Sequence, residues 1–311
     1  MKLSENLKKL CNDPLEILSQ YKDSGVGVIG YTCTPIPEEL IISAELQPYR
    51  LSNAGADPSS LAPSFICPFA SATLANIIES QEYFQGFILA HTCDPMWRLY
   101  DILKKKVNKP LFFLRVPHNT NNELSISFFR KELERLIDFL EDNFKTRINK
   151  ETLLESIKLC NETRHLLRDI YMTNTDGKYS ANAQDRFCMN LASMWMPKPE
   201  FNDQIRNIEL EGYKNSNDVR LHLNGTTLYD LILLKIIEES NGFVASDDLC
   251  TGSRYFWTEV KQNDDPLSAL TERYLKRTPC PPQISLEERL EYIEFMIRKF
   301  MVKGVITLAE K

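Results

Sequence analysis

The chain has 311 residues, 43% of them hydrophobic, 10% aromatic and 26% charged, with a formal net charge of -6. That length and composition describe a globular protein with room for two compact units, and exclude a disordered tail or a membrane bundle. The acidic balance argues against nucleic acid as a partner, because such binding rests on clustered Lys and Arg against phosphates.

The start, MKLSENLKKLCNDPLEIL, reads as a charged amphipathic helix without the apolar core of a signal peptide. No stretch reaches the roughly 18 consecutive apolar residues of a membrane span. A cytoplasmic protein is the expectation. Next, GVGVIGY (residues 25–31) is an apolar, β-branched run, followed by the loop TCTPIP and a helical EELIISAEL. The unit recurs: YFQGFILAHTCDP gives a strand ending at Cys93, MWRLYDILKKK a helix with Lys104, Lys105 and Lys106 on a solvated face, and PLFFLRVP another buried strand. Such alternation predicts a parallel sheet covered by helices.

From Ser127 the character changes. FFRKELERLIDFLEDNF and KETLLESIKLCNETRHLLRDIYMT carry Leu and Ile at three- and four-residue spacings, the signature of long amphipathic helices. Alternation resumes with VRLHLNG, TLYDLILLKIIEES and GFVASDDL. A last helix, ISLEERLEYIEFMIRKF, leads into VKGVITLA, which reads as a central strand. The expected organisation is an α/β lobe over 1–125 containing Cys67 and Cys93, a helical segment over 126–205, and a second α/β lobe over 206–311. With no crossover after its last strand, that second lobe is expected to be incomplete.

Eight cysteines stand at positions 11, 33, 67, 93, 160, 188, 250 and 280. Spread along a chain without an export signal, they point to reduced thiols, some buried and some metal-bound, rather than to a disulfide framework. Cys67, in SFICPFASATL, falls at a helix cap with Pro68 in the first turn, and Cys93 repeats the setting before Asp94-Pro95. Backbone donors at such a position are expected to lower the thiol pKa and favour the thiolate that binds metal. Both would then converge at the carboxyl edge of one sheet. The competing reading for either is a small apolar filler.

Cys250, in ASDDLCTGSRYFWTEV, follows a strand in a ligand or interface loop, where Asp247 and Asp248 cap backbone donors or orient Arg254 and Gly252 permits close approach. Cys33 is another strand-end thiol, in a packing or a site role, and Cys160 reads as core. His91, two residues before Cys93, is a candidate for proton transfer or for supporting a ligand, against a satisfied core histidine. No phosphate-binding GxxxxGK[ST] loop, HExxH, GxSxG or GxGxxG occurs.

At this point the residues resemble the D-component subunits of 2-hydroxyacyl-CoA dehydratases and the related benzoyl-CoA reductase subunits. The matching pieces are TPIPEELIISAELQPYRL, CPFA at Cys67, TCDP at Cys93, VP at 116–117, DDLCTGSRYF at Cys250 and DPLSALTERYLKRTPCP, in the family's order over nearly the whole chain. The resemblance implies two Rossmann-like lobes with a helical part, pairing with a related second subunit or with itself, and a 4Fe-4S cluster held by three cysteines. Cys67 and Cys93 match the first two ligands. The third is expected after the strand reading GVI, beyond Lys311, with Cys250 or Cys33 as substitutes. An ATP-dependent iron-sulfur activator protein would supply a low-potential electron to an acyl-CoA thioester, giving ketyl radical chemistry. The DDLCTGSRYF element is closer to the benzoyl-CoA reductase branch. The alternatives are a non-catalytic partner subunit and a double-cubane-type reductase.

Overall fold

The computed structural model describes residues 5–52, 66–120, 122–175, 181–208, 219–281 and 286–309. The N-terminal stretch forms two helices rather than one, α1 (Glu5–Asn12) and α2 (Glu16–Asp23), separated at Asp13-Pro14. This follows from proline's missing amide donor and its restriction of the preceding residue.

The first sheet is wholly parallel and ordered β2-β1-β3-β4, from β1 (Val28–Tyr31), β2 (Gln47–Arg50), β3 (Gly86–His91) and β4 (Leu111–Arg115). The strand β2, QPYR, carries no apolar run and departs from the sequence expectation. Alternate side chains serve two cores. Val28, Tyr49, Leu51, Phe87 and Leu89 face α4 (Pro68–Ser80) and α5 (Asp94–Lys106). Ile29, Tyr31, Ile88, Ala90, Phe112 and Leu114 face α3 (Glu38–Ser43) and α6 (Glu123–Phe144). A strand covered on both faces favours apolar residues at successive positions, which is why β1 and β3 read as hydrophobic runs.

In α6, Phe129, Leu133, Leu136 and Leu140 make the buried stripe, and the Asn122 side chain caps the helix by accepting from the Ser125 amide at 2.8 Å. The helix α7 (Lys150–Met172) opens with a reciprocal cap between Asn149 and Thr152, and buries Cys160 as expected. Helices α8 (Ala183–Ser193) and α9 (Lys198–Arg206) follow.

The second sheet is also parallel, ordered β6-β5-β7, from β5 (Val219–Asn224), β6 (Gly242–Asp248) and β7 (Gly304–Thr307). Leu223 and Val244 pack on α10 (Ile232–Glu239), while Phe243 and Ala245 pack on the side of α13 (Leu286–Lys299). Between β6 and α13 lie the short α11 (Ser253–Phe256) and α12 (Pro266–Lys276). Among the described residues β7 pairs with β5 alone, with alternate residues half-buried and exposed.

One further expectation is corrected. Cys11 and Cys188 are disulfide-bonded, tying α1 to α8 across 177 residues of sequence. Burial of Leu7 and Leu10 against α8's core brings the two sulfurs together, a proximity invisible in cysteine spacing. No described helix is long and apolar enough to cross a membrane.

Candidate functional site

The order β2-β1-β3-β4 puts a topological switch between β1 and β3, since the chain leaves β1 towards one side and returns on the other. Open α/β sheets bind ligands in the crevice at the carboxyl ends of such strands. Three thiols sit there. Cys33, two residues beyond the end of β1, has φ of 20°, turning the chain into the loop before α3, and its Sγ lies 3.4 Å from the Oγ1 of Thr92, which follows β3. Cys67 and Cys93 are the N-cap residues of α4 and α5, with Pro68 and Pro95 in the first turns. Neither sulfur makes a side-chain capping bond, and all three cysteines are half-buried.

Cys67 and Cys93 thus stand at helix starts, as their sequence context predicts, but the expected electrostatic consequence fails for Cys93. Burial pushes that thiol up to about 11, with the neighbouring Cys33 and Cys67 adding to the rise and the Met96 amide opposing it. Removing a charge from water outweighs what one helix N-terminus returns. The free thiol is therefore the protonated form at neutral pH.

Cys250 occupies the corresponding place at the carboxyl end of β6. The loop is built as the sequence suggested. Asp247 Oδ1 accepts from the Leu249 amide at 2.9 Å and the Ser253 amide at 2.8 Å, and a Cβ on Gly252 would fall 2.1 Å from that oxygen. Asp248 pairs with Arg254 at 3.0 Å and with Arg289 at 2.7 Å. Arg254 also donates to the Asp248 carbonyl at 2.8 Å and to the Gly225 carbonyl after β5. Cys250 itself is buried and hydrogen-bonded to Cys280, which holds its thiol well below the usual range against the cost of burial, helped by Arg254, Arg50 and Arg277.

The carboxyl edges of the two sheets meet. The Tyr229 hydroxyl donates to the Leu51 carbonyl at 3.0 Å and its ring stacks on Phe69, 6.3 Å between centroids. Cys33, Cys67 and Cys93 lie on one side of this seam and Cys250 with Cys280 on the other. Arg50 and Arg277 feel both Cys33 and Cys250. Composition and motif spacing do not single out Arg50, Arg277, Cys280 or Tyr229. For Arg50, Arg277 and Cys280 the one signal is membership of the QPYRL and RTPCP segments.

The two glutamates of PIPEEL are structural. Glu38 pairs with Lys198 at 2.9 Å and accepts from Tyr255 at 2.7 Å and from Tyr31; Glu39 pairs with Arg164 at 2.6 Å and accepts from Tyr274 at 2.7 Å. Burial opposes the Glu39 charge, but Arg164 and Arg273 outweigh it and hold the carboxyl below its usual range. This network locks α3 to α7, α9 and α12 and so fixes the Cys33 loop. His91 lies outside it, in a cluster with Trp97 at 4.9 Å, Phe113 at 5.5 Å and His118 at 5.8 Å between ring centroids. Burial, then His118, lowers its pKa, so the ring is neutral at neutral pH.

Among the described residues no three His, Cys, Asp or Glu side chains converge as ligands of a single metal ion. A four-iron cluster takes its protein ligands one per iron, so it suits soft thiols that share a crevice without sharing a point. The donor set at the first switch point and the cationic groups behind it fit such a group.

The profile of the 2-hydroxyglutaryl-CoA dehydratase D-component family matches residues 33–311. The chain is 24% identical to the (R)-phenyllactyl-CoA dehydratase beta subunit of Clostridium sporogenes, over 100% of this chain and 86% of that one. It is 24% identical to one of the benzoyl-CoA reductase subunits of Thauera aromatica, over 91% and 77%. It is 22% identical to the beta subunit of (R)-2-hydroxyglutaryl-CoA dehydratase of Acidaminococcus fermentans, over 98% and 84%. With its parallel sheets, its strand-end thiols and this match over most of its length, the chain belongs to the 2-hydroxyglutaryl-CoA dehydratase D-component family.

Proposed function

We propose that this chain is the iron-sulfur subunit of a 2-hydroxyacyl-CoA dehydratase or benzoyl-CoA reductase-type enzyme, with Cys67 and Cys93 as ligands of a 4Fe-4S cluster. The observation that carries the reading is the placement of both cysteines as N-caps at the crevice where the first sheet reverses its strand order, in a chain of this family. The relatives are named as subunits, which supports a related second subunit as partner.

When bound, such a cluster supplies low-potential one-electron chemistry at an acyl-CoA thioester carbonyl. The chain's own residues do the rest. The N-terminal ends of α4 and α5, where Cys67 and Cys93 are the N-cap residues, favour the thiolate form of each sulfur once the proton has left. Tyr229 and Phe69 close the seam between the sheets and keep water out. His91, neutral and two residues from Cys93, is the candidate group for taking up a proton. The sequence holds no phosphate-binding GxxxxGK[ST] loop, so a separate ATP-dependent iron-sulfur activator protein is the proposed electron source.

Anaerobic reconstitution tests this reading. The full chain should take up about four irons with matching sulfide, and Cys67→Ser and Cys93→Ser should each lose most of them. A chain that binds no iron, or variants with undiminished iron, would overturn it.

A further inference from the structure

Cys11 is the penultimate residue of α1, and its disulfide partner Cys188 is the middle residue of α8. Cys188 is 4% exposed, whereas Cys11 is half-buried and reaches solvent. Each sulfur also has a carbonyl oxygen beside it: Cys11 Sγ lies 3.3 Å from the oxygen of Cys188, and Cys188 Sγ lies 3.3 Å from the oxygen of Leu7. If the bond is reduced, each new S–H therefore finds an acceptor already in place, and no buried donor is left unmet. The same packing suits the disulfide and the dithiol.

The two helices differ in what else holds them. The helix α8 is tied to both sheets: Arg186 donates to the Val244 carbonyl of β6, and just past the helix Met194 accepts from the Arg50 amide at 3.1 Å while the Trp195 indole donates to the Arg50 carbonyl at 2.9 Å. By contrast α1 has eight residues, too few to persist as a helix alone in water, and it buries Leu7 and Leu10. Among the described residues its ion pair, Lys9 with Glu16, lies at the surface and reaches α2, so it adds little. The disulfide is the strong tie of α1 to the rest of the chain.

We propose that Cys11 and Cys188 form a reversible thiol–disulfide switch that sets how firmly α1 is held on α8, worked by an external thiol–disulfide couple acting at Cys11. In the reducing direction a thiolate of the reductant bonds to Cys11 Sγ, the S–S bond breaks, and Cys188 leaves as a thiolate that takes up a proton. A second thiol of the reductant then bonds to the first, releasing Cys11, which also takes up a proton, and the reductant departs as its disulfide. Two electrons and two protons enter the protein. In the oxidising direction a small disulfide such as oxidised glutathione accepts them and leaves as two thiols. Release of α1 takes away one wall of the cleft of about 200 Å³ that it forms with α2 and α9.

The switch does not depend on the cluster, so its test uses the full chain free of iron. The protein is equilibrated without denaturant in glutathione buffers of graded oxidised-to-reduced ratio, and the Cys11–Cys188 bond is quantified by differential alkylation and peptide mass spectrometry. Hydrogen–deuterium exchange is then measured on the two end states. The bond should open and close completely and reversibly across the series. Amides of α1 should exchange at least tenfold faster in the dithiol form, and those of α8 should be unchanged. Cys11→Ser should show the fast α1 exchange at every ratio. The proposal is overturned if the bond stays closed in excess reduced glutathione or stays open in excess oxidised glutathione. Equal α1 exchange in the two wild-type states overturns it too, as does an equal acceleration of α8, which would make the disulfide a brace for the whole fold. The wild-type comparison decides the matter even where Cys11→Ser does not fold.

Discussion

The Cys33 sulfur lies 3.4 Å from the Thr92 hydroxyl, joining the loop after β1 to the residue that follows β3 across the point where the first sheet changes direction. Thr92 is 4% exposed, so the contact is shielded. Thr92→Val keeps the shape and removes the hydroxyl. It should lower stability by about 1 kcal/mol in urea unfolding of the iron-free protein, and speed iron loss from the reconstituted chain to an added chelator.

Gly252 is required by its neighbour. Asp247 Oδ1, 2.1 Å from where a Cβ would stand, is held by two amides and has nowhere to retreat. Gly252→Ala should cost about 1–3 kcal/mol, read as a lower urea midpoint with an unchanged slope.

Cys93 should resist alkylation. With burial raising its pKa to about 11, about one part in a thousand is thiolate at pH 8 in the reduced, iron-free chain. Iodoacetamide labelling followed by peptide mass spectrometry should show Cys93 reacting slowly at neutral pH and accelerating up to pH 11. Fast labelling near pH 7 would contradict the burial argument.

His222 and Asp247 should give opposing pH dependences in one window. Burial, then Arg289, lowers His222 to about 4. Between about 6.5 and that value the unfolded chain gains a proton the folded chain refuses, so His222 removes stability as pH falls. Burial raises Asp247 to about 7. Above about 3.9 the unfolded chain ionises while the folded chain keeps its proton, so Asp247 removes stability as pH rises. Relative to wild type, Asp247→Asn should gain stability on going from pH 4 to 7, and His222→Gln should gain it in the opposite direction. Each effect should be a few kcal/mol, at about 1.4 kcal/mol per pH unit, read from urea midpoints across the window.

The oxidised chain, denatured without reductant, should titrate six thiols, and all eight after reduction. Cys188→Ser should cost about 2–5 kcal/mol against the oxidised wild type, measured by thermal melting.

Strands β1 and β3 are legible in the sequence because burial on both faces demands an unbroken apolar run, and α6 because Phe129, Leu133, Leu136 and Leu140 keep helical spacing. The strand β2 is not, since QPYR contains no such run and is held by pairing with β1. The break between α1 and α2 is marked at Asp13-Pro14, yet the amphipathic pattern on either side masks it. Cys67 and Cys93 are legible as helix caps because the following prolines are local signals.

Periodicity, capping and motif order run along the chain, and they suffice for the α/β class, the strand-to-helix position of each candidate thiol and the family. Tertiary packing alone brings Cys33 to Cys67 and Cys93, pairs Cys250 with Cys280, holds Cys93 protonated, joins Cys11 to Cys188 and buries Arg50 with idle donors. Burial and partnership arise between residues far apart in sequence. They fix the free energy of every charge at the seam, and no local pattern encodes them.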